Sequence, residues 1–369
     1  LRGESTYGDM LSPTFGGLTA NVEYEVLTGN SVQFMNPGAV AFTQQVKGPT
    51  VSLASMLKKQ GYQTSAITSY FSWFFNVKEV YRNMGFHRVI GSEFMPNNIK
   101  GIYLNDVEIE TAVKRVYAST TGPKFIYAKT MENHTPYIPG KFLTKEVTVE
   151  QSPLSTTSKA YLESYLQGAH DADKLLGNLV NYFKASQEPT ILLYFGDHLP
   201  ALDSVYRESG YFDSMNNPAK YKEVHHTSYL IWDNFSKQPA HNMDISSNFL
   251  GSYLLDRVQL ASSPYFHFLK AMSEKSTNFP EQSQYQTFGV DPMWARQYEF
   301  FQYAIMKNPS QIFSPEQLDT IQPDFQFGYG PLKINSATWK NEQHQSIFIQ
   351  GENLVKPMNA FVNGVRMKY

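Results

Sequence analysis

The stretch Thr190-Ile191-Leu192-Leu193-Tyr194-Phe195-Gly196-Asp197-His198 constrains the fold of this chain more than any other. A short apolar, β-prone run bounded by Pro189 and Gly196 reads as a buried parallel strand. A strand buried on both faces needs helices on both sides of its sheet. In open α/β sheets, ligands sit beyond the carboxyl ends of the strands. Asp197-His198 stands at such an end and offers one oxygen and one nitrogen to a divalent metal. Asp197 would equally serve to cap the following turn, and His198 to pack beneath the loop.

Helical and strand signals alternate along the rest of the chain. Residues 1–30, rich in Gly, Ser and Thr, read as an irregular entry loop leading into a helix start. A helix follows from Thr50 as N-cap to Gly61 just past its end. A strand is expected at Thr64–Thr68, a helix at Asp106–Tyr117 and a second strand at Lys124–Lys129. Leu162, Leu166, Ala169, Leu176, Val180 and Phe183 recur at helical spacing and mark a long helix over 160–183. Thr190–Phe195 and Thr227–Trp232 are the next strands. This alternation predicts an α/β fold with a mainly parallel central sheet flanked by helices on both faces. After about residue 325 the pattern changes. Residues 332–339, 346–351 and 360–369 alternate in β fashion, and Asn363-Gly364 is a strong hairpin turn signal. Residues 1–325 are therefore assigned to the α/β domain and 326–369 to a small β appendage.

Charged residues make up only 17% of the chain and the net charge is −2, which argues against a nucleic-acid partner. The absence of cysteine excludes a disulfide framework, a thiolate nucleophile and a Cys-ligated metal, and fits an exported protein. No apolar run is long enough to span a bilayer. The chain begins at Leu1 without a signal-like segment, so a processed ectodomain or a fragment of a longer protein is expected.

Three clusters carry chemistry. Besides Asp197-His198, Asn133-His134-Thr135-Pro136 follows the Lys124–Lys129 strand, so both loops are placed on one crevice. A single loop histidine is otherwise commonly a satisfied structural residue. The third cluster is Gly16-Gly17-Leu18-Thr19-Ala20-Asn21. A threonine hydroxyl at a helix N-terminus beside a metal is an activated nucleophile for an acyl or phosphoryl group. Composition alone favours the plainer role of Thr19 as N-cap.

Gly16-Gly17-Leu18-Thr19-Ala20-Asn21-Val22-Glu23-Tyr24-Glu25-Val26-Leu27-Thr28-Gly29 resembles the nucleophile segment of the lipoteichoic acid synthase family. These are phosphoglycerol transferases of the sulfatase/alkaline phosphatase superfamily. Ser12-Pro13-Thr14-Phe15, Tyr81-Arg82-Asn83-Met84-Gly85-Phe86, Asn133-His134-Thr135-Pro136-Tyr137 and Phe195-Gly196-Asp197-His198-Leu199-Pro200 are similar to further family segments. The resemblance covers roughly residues 10–260. It implies Thr19 as the nucleophile and, with Asp197 and His198, as ligand to a manganese or magnesium ion. His134 would contact the transferred phosphate or the leaving group. A divalent cation stabilises a threonine alkoxide and neutralises phosphate charge. A covalent phosphothreonine divides one difficult transfer into two easier ones. The implied partners are a glycerophospholipid donor and a cell-wall or membrane polymer acceptor. The implied location is the outer face of the cell membrane, with the full-length protein membrane-tethered.

Two departures stand out. The family takes a further metal ligand from a glutamate some tens of residues before the threonine, and Glu4 is too close to Thr19 to match it. The family's phosphoglycerol-gripping His-x-x-x-Gly-Ser-Phe-Trp-Asn-Arg stretch corresponds to residues 68–77. Its histidine falls on Thr68 and its arginine on Val77. Losing a bidentate phosphate donor is not conservative; Lys78, Arg82 or Lys129 are the candidate replacements. Trp73 and Phe75 are candidates to stack on a sugar or glycerol moiety. His225-His226 precede a strand and are weaker candidates to face the site. Glu23 and Glu25 are read as loop supports, and His170, Asp171 and Asp173 as helix-packing residues. The formylglycine signature of true sulfatases is missing, which disfavours sulfate-ester hydrolysis. A non-catalytic binding module and a phosphodiesterase or sulfatase stand as alternatives to the transferase.

Overall fold

Strand β1 (Ser5–Leu11) opens the fold in the computed structural model of the protein. The structure describes residues 2–212, 220–236, 238–341, 346–355, 361–362 and 365–366. There follow α1 (Thr19–Thr28), α2 (Leu53–Lys59), β2 (Gln63–Thr68), α3 (Val77–Asn83), β3 (Arg88–Ile90), α4 (Asp106–Ser119) and β4 (Lys124–Lys129). Next come α5 (Thr156–Lys184), β5 (Ile191–Phe195), β6 (His226–Asp233), β7 (Ile245–Ser246), α6 (Ser247–Arg257), α7 (Pro264–Lys275) and α8 (Pro292–Lys307). The chain closes on β8 (Gln326–Phe327), β9 (Lys333–Asn341) and β10 (Ser346–Glu352).

Of the two main sheets one is wholly parallel, as the alternation predicts, and the other is mixed. Strands β8, β3, β2 and β4 form one wholly parallel sheet in that order. A second sheet runs β7-β1-β6-β5. Here β1 and β7 are parallel, but β6 is antiparallel to both β1 and β5. The expectation that Thr190–Phe195 is a parallel strand is therefore corrected. The chain leaves β5, loops through two short helices, and re-enters at the same end as β6. The residues of β5 are half-buried rather than buried.

Both sheets lie between the same two apolar layers. Phe125 and Tyr127 of β4 share one core with Ile191, Leu193 and Phe195 of β5. Ile126, Leu192 and Tyr194, on the opposite pleat, pack into the other. Helices α1, α2, α3, α6 and α7 supply the first layer, and α4 and α5 the second. The resulting α/β architecture carries helices on both faces.

Three local expectations change. The entry loop contains β1, whose polar sequence conceals a strand. Gly8 belongs there because a Cβ would fall 2.1 Å from the Met243 carbonyl oxygen. The N-cap of α2 is Ser52 rather than Thr50, through a reciprocal capping box with Ser55. Thr50 is occupied elsewhere, its N–H donating to Asn83 O. Helix α5 starts earlier than periodicity suggests, capped by Ser155. At the C-terminal end, β8 extends the parallel sheet at Arg88–Val89, and β9 and β10 form a bulged hairpin. The Asn363-Gly364 turn lies outside the described residues. Among the described residues no helix is long and apolar enough to cross a membrane.

Candidate active site

Thr19 is the first residue of α1, and the preceding loop is shaped to deliver it. Gly16 (φ 69°) and Leu18 (φ 66°) both take left-handed backbone conformations. The Gly16 N–H donates to Leu199 O at 3.0 Å, strapping this loop to the one that leaves β5. Thr19 Oγ1 thereby donates to Asp197 Oδ2 at 2.5 Å. The other Asp197 oxygen accepts the His198 N–H at 2.9 Å. His198 Nδ1 lies 3.0 Å from the Leu199 carbonyl, which only accepts, so the proton sits on Nδ1. Nε2 therefore bears the lone pair. It is buried without a hydrogen-bond partner, 3.3 Å from Asp197 Oδ2. A hydroxyl, a carboxylate and an orphaned imidazole nitrogen converge, a donor set that fits a hard-to-borderline divalent cation.

Helix α1 is held rigidly behind this point. Asn21 bridges Ala39 O (3.0 Å) and Ala41 N (2.8 Å). Buried Glu23 accepts from Lys129 Nζ at 2.7 Å and from the Tyr81 hydroxyl. Burial, reinforced by Glu23, pushes the Tyr81 and Tyr127 hydroxyls well above their usual range. Glu25 accepts from Ser31, Val32 N–H and Ser247. Burial still drives its carboxyl up to about 7. Both glutamates, read from sequence as loop supports, lie on α1 and tie it to its neighbours, and Lys129 is engaged by Glu23.

His134 stands on the loop after β4. Its Nδ1 lies 2.9 Å from Thr135 O and 3.2 Å from the Tyr103 hydroxyl, which itself donates to Thr135 O at 2.6 Å. Lys141 Nζ donates to the His134 carbonyl at 2.5 Å. Three rings, Tyr103, Tyr137 and Phe142, lie about this ammonium at 5.4, 5.5 and 5.2 Å. Burial lowers Lys141 to about 8. Burial raises the neighbouring Tyr137 hydroxyl, with Tyr165 and then the Asp197 charge adding to it. A chain of ring contacts runs outward from His134 through Tyr103 and Tyr70 to Phe71 and Phe74. Trp73 caps it, 60% exposed and nearly parallel to Phe71.

Thr19, Asp197 and His198 are thus brought together, and ring contacts separately join His134 to Trp73. Arg82 points elsewhere, pairing with Glu79 and lying over the Phe325 ring at 5.7 Å. Lys78 lies over Phe327. Thr68 and Val77, where the resemblance implies a histidine and an arginine, are both buried. His225 Nδ1 contacts Ser12 O at 2.8 Å. His226 joins Asp9 and Asp244 in one group of possible ligand atoms, and Glu146, His170 and Asp171 form another. Sequence reading missed Lys141 and Tyr103, and took Glu132 only as a member of the Met131–Tyr137 cluster, with no role of its own. Lys141 follows a Pro-Gly turn seven residues after His134, and no periodicity announces such a contact.

The sulfatase family's sequence profile matches residues 2–260. The chain belongs to the sulfatase family. A Rhizobium meliloti (strain 1021) protein named for cyclic beta-1,2-glucan modification is 33% identical over 268 residues, covering 71% of this chain and 42% of that protein. The fold is similar to the Streptococcus pyogenes phosphoglycerol transferase GacH, solved with sn-glycerol-1-phosphate. That match has a TM-score of 0.64 and 21% identity, over 84% of this chain and 80% of the solved GacH chain. It is also similar to the lipoteichoic acid synthase LtaP of Listeria monocytogenes, with a TM-score of 0.56 and 16% identity over 70% and 64% of the two chains. The chain spans less than half the length of the curated relatives it matches.

Proposed function

We propose that this chain is the catalytic part of a metal-dependent phosphoglycerol transferase with Thr19 as nucleophile. The observation that carries the proposal is the 2.5 Å contact between Thr19 Oγ1 and Asp197 Oδ2, with the unpartnered His198 Nε2 alongside. Thr19, Asp197 and His198 would hold a Mn2+ or Mg2+ ion, which supplies Lewis acidity toward the hydroxyl and the phosphate oxygens. Thr19 Oγ attacks the phosphorus of a glycerophospholipid headgroup. The bond to the lipid alcohol breaks, and that alcohol takes up a proton. An acceptor hydroxyl then attacks the phosphothreonine, releasing Thr19 with its proton restored. His134, whose Nδ1 proton is fixed on Thr135 O, presents Nε2 to the transferred phosphate or the departing oxygen.

The acceptor in this reading is a glycopolymer of the cell wall or membrane. Exposed Trp73 suits a sugar face, and the 33% identical relative is named for glucan modification. Arg82, turned toward Glu79, would serve phosphate only after releasing that partner. Such chemistry belongs on the outer face of a membrane-tethered protein. Thr19→Ala should abolish glycerophosphate transfer from phosphatidylglycerol to a β-glucan without unfolding the chain. Unchanged turnover by Thr19→Ala would sink the proposal.

A second reading, a sulfatase-like module that binds polymer without turnover, draws on buried Thr68 and Val77. These positions offer no guanidinium or imidazole to a phosphoglycerol. Calorimetry separates the two readings: β-glucan binding by a chain that never forms phosphothreonine would favour the module.

A further inference from the structure

Three buried carboxyl groups meet behind the His134 loop. Glu132, two residues before the histidine, is fully buried. Its Oε2 accepts the Asp106 N–H at 2.8 Å, in the first turn of α4. Its Oε1 has no hydrogen-bond partner and faces the Asp171 carboxylate of α5. Asp171 is already committed, accepting from Lys100 Nζ at 2.6 Å and Gln167 Nε2 at 3.1 Å. Both Asp106 carboxyl oxygens are buried without partners.

Charge accounting decides which group is ionised. Lys100 is the ammonium nearest this cluster, 3.7 Å from Glu132 Oε1 and closer to Asp171. Lys141 also bears on Glu132 and Asp106, but its hydrogen bond goes to the His134 carbonyl. Burial pushes Asp171 up, yet the Lys100 and Gln167 hydrogen bonds outweigh it and hold that carboxyl below its usual range. Burial drives Glu132 the other way, to about 8, and Asp106 to about 7. A buried carboxylate beside another carboxylate cannot hold its charge without a second cation.

We propose that Glu132, in its protonated form, is a positioning residue for His134, donating through Oε1 to Asp171 while accepting the Asp106 N–H. The loop is then fixed from both ends, by Glu132 against α4 and α5 and by Lys141 on the His134 carbonyl. Loss of the proton sets Glu132 against Asp171 with one ammonium to share, and the loop end nearest His134 loses its donor. The role assigned to Glu132 rests on the reading of His134 as the phosphate-facing imidazole. The groups that face Glu132 are Asp106 from α4, Asp171 from α5, Lys100 from the short ladder before α4, and Lys141 from the loop itself.

Glu132→Gln tests this, because the amide keeps a donor and an acceptor at every pH. Glu132→Ala removes both. The His134 ring protons, assigned by their loss in His134→Gln, are followed by NMR against pH in the apo chain. Measured in a Lys141→Arg background, which keeps a donor to the His134 carbonyl but removes the other group titrating near pH 8, the ring should show an alkaline inflection near pH 8, set by Glu132, that vanishes when Glu132→Gln is added. In the transfer assay, Glu132→Gln should retain turnover and shift the alkaline limb upward. Glu132→Ala should lower kcat by on the order of 10²-fold with little change in KM. An alkaline inflection that persists when Glu132→Gln is added to that background, or a Glu132→Gln enzyme as impaired as Glu132→Ala, overturns the role. The NMR reading needs no turnover, so it stands or falls separately from the transferase proposal. Should Glu132→Ala not fold, the isosteric Glu132→Gln still decides.

Discussion

Lys129 Nζ lies 2.7 Å from Glu23 Oε1, joining the end of β4 to α1 one turn below Thr19. The carboxylate is fully buried and the ammonium largely so. Removing one partner leaves the other charged and unpaired, which typically costs ~3–5 kcal/mol. Lys129→Met should lower the urea unfolding free energy by about that amount. Combining it with Glu23→Gln should recover much of the loss. A double variant as unstable as the sum of the two singles would contradict a direct coupling.

Stability should fall as pH rises from acid to mildly alkaline. Burial raises the carboxyls of Glu25 and Asp106 to about 7 and that of Glu132 to about 8. In the unfolded chain, such groups titrate near ~4. Between these limits the folded state keeps protons that the unfolded state has released. Each contribution is therefore complete below the unfolded value and is gone once pH passes the folded one. Urea midpoints should be higher at pH 5 than at pH 8, and Glu25→Gln should flatten the slope. A midpoint that climbs over this interval would contradict the burial of these groups.

Gly168→Ala should destabilise, against the usual gain of ~1 kcal/mol for Gly→Ala within a helix. A Cβ at position 168 would meet the Asn133 side chain at 2.3 to 2.7 Å. Asn133 precedes His134, so the displacement should also shift the His134 ring resonances. A thermal melt showing higher stability, with unmoved His134 signals, would show that Asn133 turns away at no cost.

Divalent cation should stabilise the folded chain through the Thr19 site. A ligand at 100 times its Kd adds ~2.7 kcal/mol. Mn2+ should raise the melting temperature of the wild type, and Asp197→Asn should remove most of the increase. Asp9→Asn lies in the separate Asp9, His226, Asp244 group. A Mn2+ effect lost in Asp9→Asn and kept in Asp197→Asn would move the metal to that second place.

Sequence alone revealed those elements whose signals are local. Lys124–Lys129 has the predicted bounds, and the Asp197-His198 pair lies where the end of an apolar strand placed it. Strand β1 was hidden, since Ser5-Thr6-Tyr7-Gly8-Asp9 looks polar and its partner β6 lies more than 200 residues away. The direction of β5 depends on β6, so no pattern within β5 reveals it. The role proposed for Thr19 rests on its resemblance to a nucleophile segment; the plainer expectation of an N-cap is corrected, since Leu18 is the N-cap and no side chain caps the helix. The orphaned His198 Nε2, the Lys141 clamp and the buried Glu132 follow from packing between loops that sequence spacing does not relate.

The central claim is that Thr19 becomes covalently phosphorylated by a glycerophosphate group. Intact-protein and peptide mass spectrometry, after incubating the chain with phosphatidylglycerol and Mn2+ without acceptor, tests it most directly. The predicted result is one glycerophosphate adduct on the peptide containing Thr19, absent from Thr19→Ala and Asp197→Asn and discharged by adding glycan acceptor. Glycan modification that proceeds with no adduct on Thr19, or equally well in Thr19→Ala, would contradict the account.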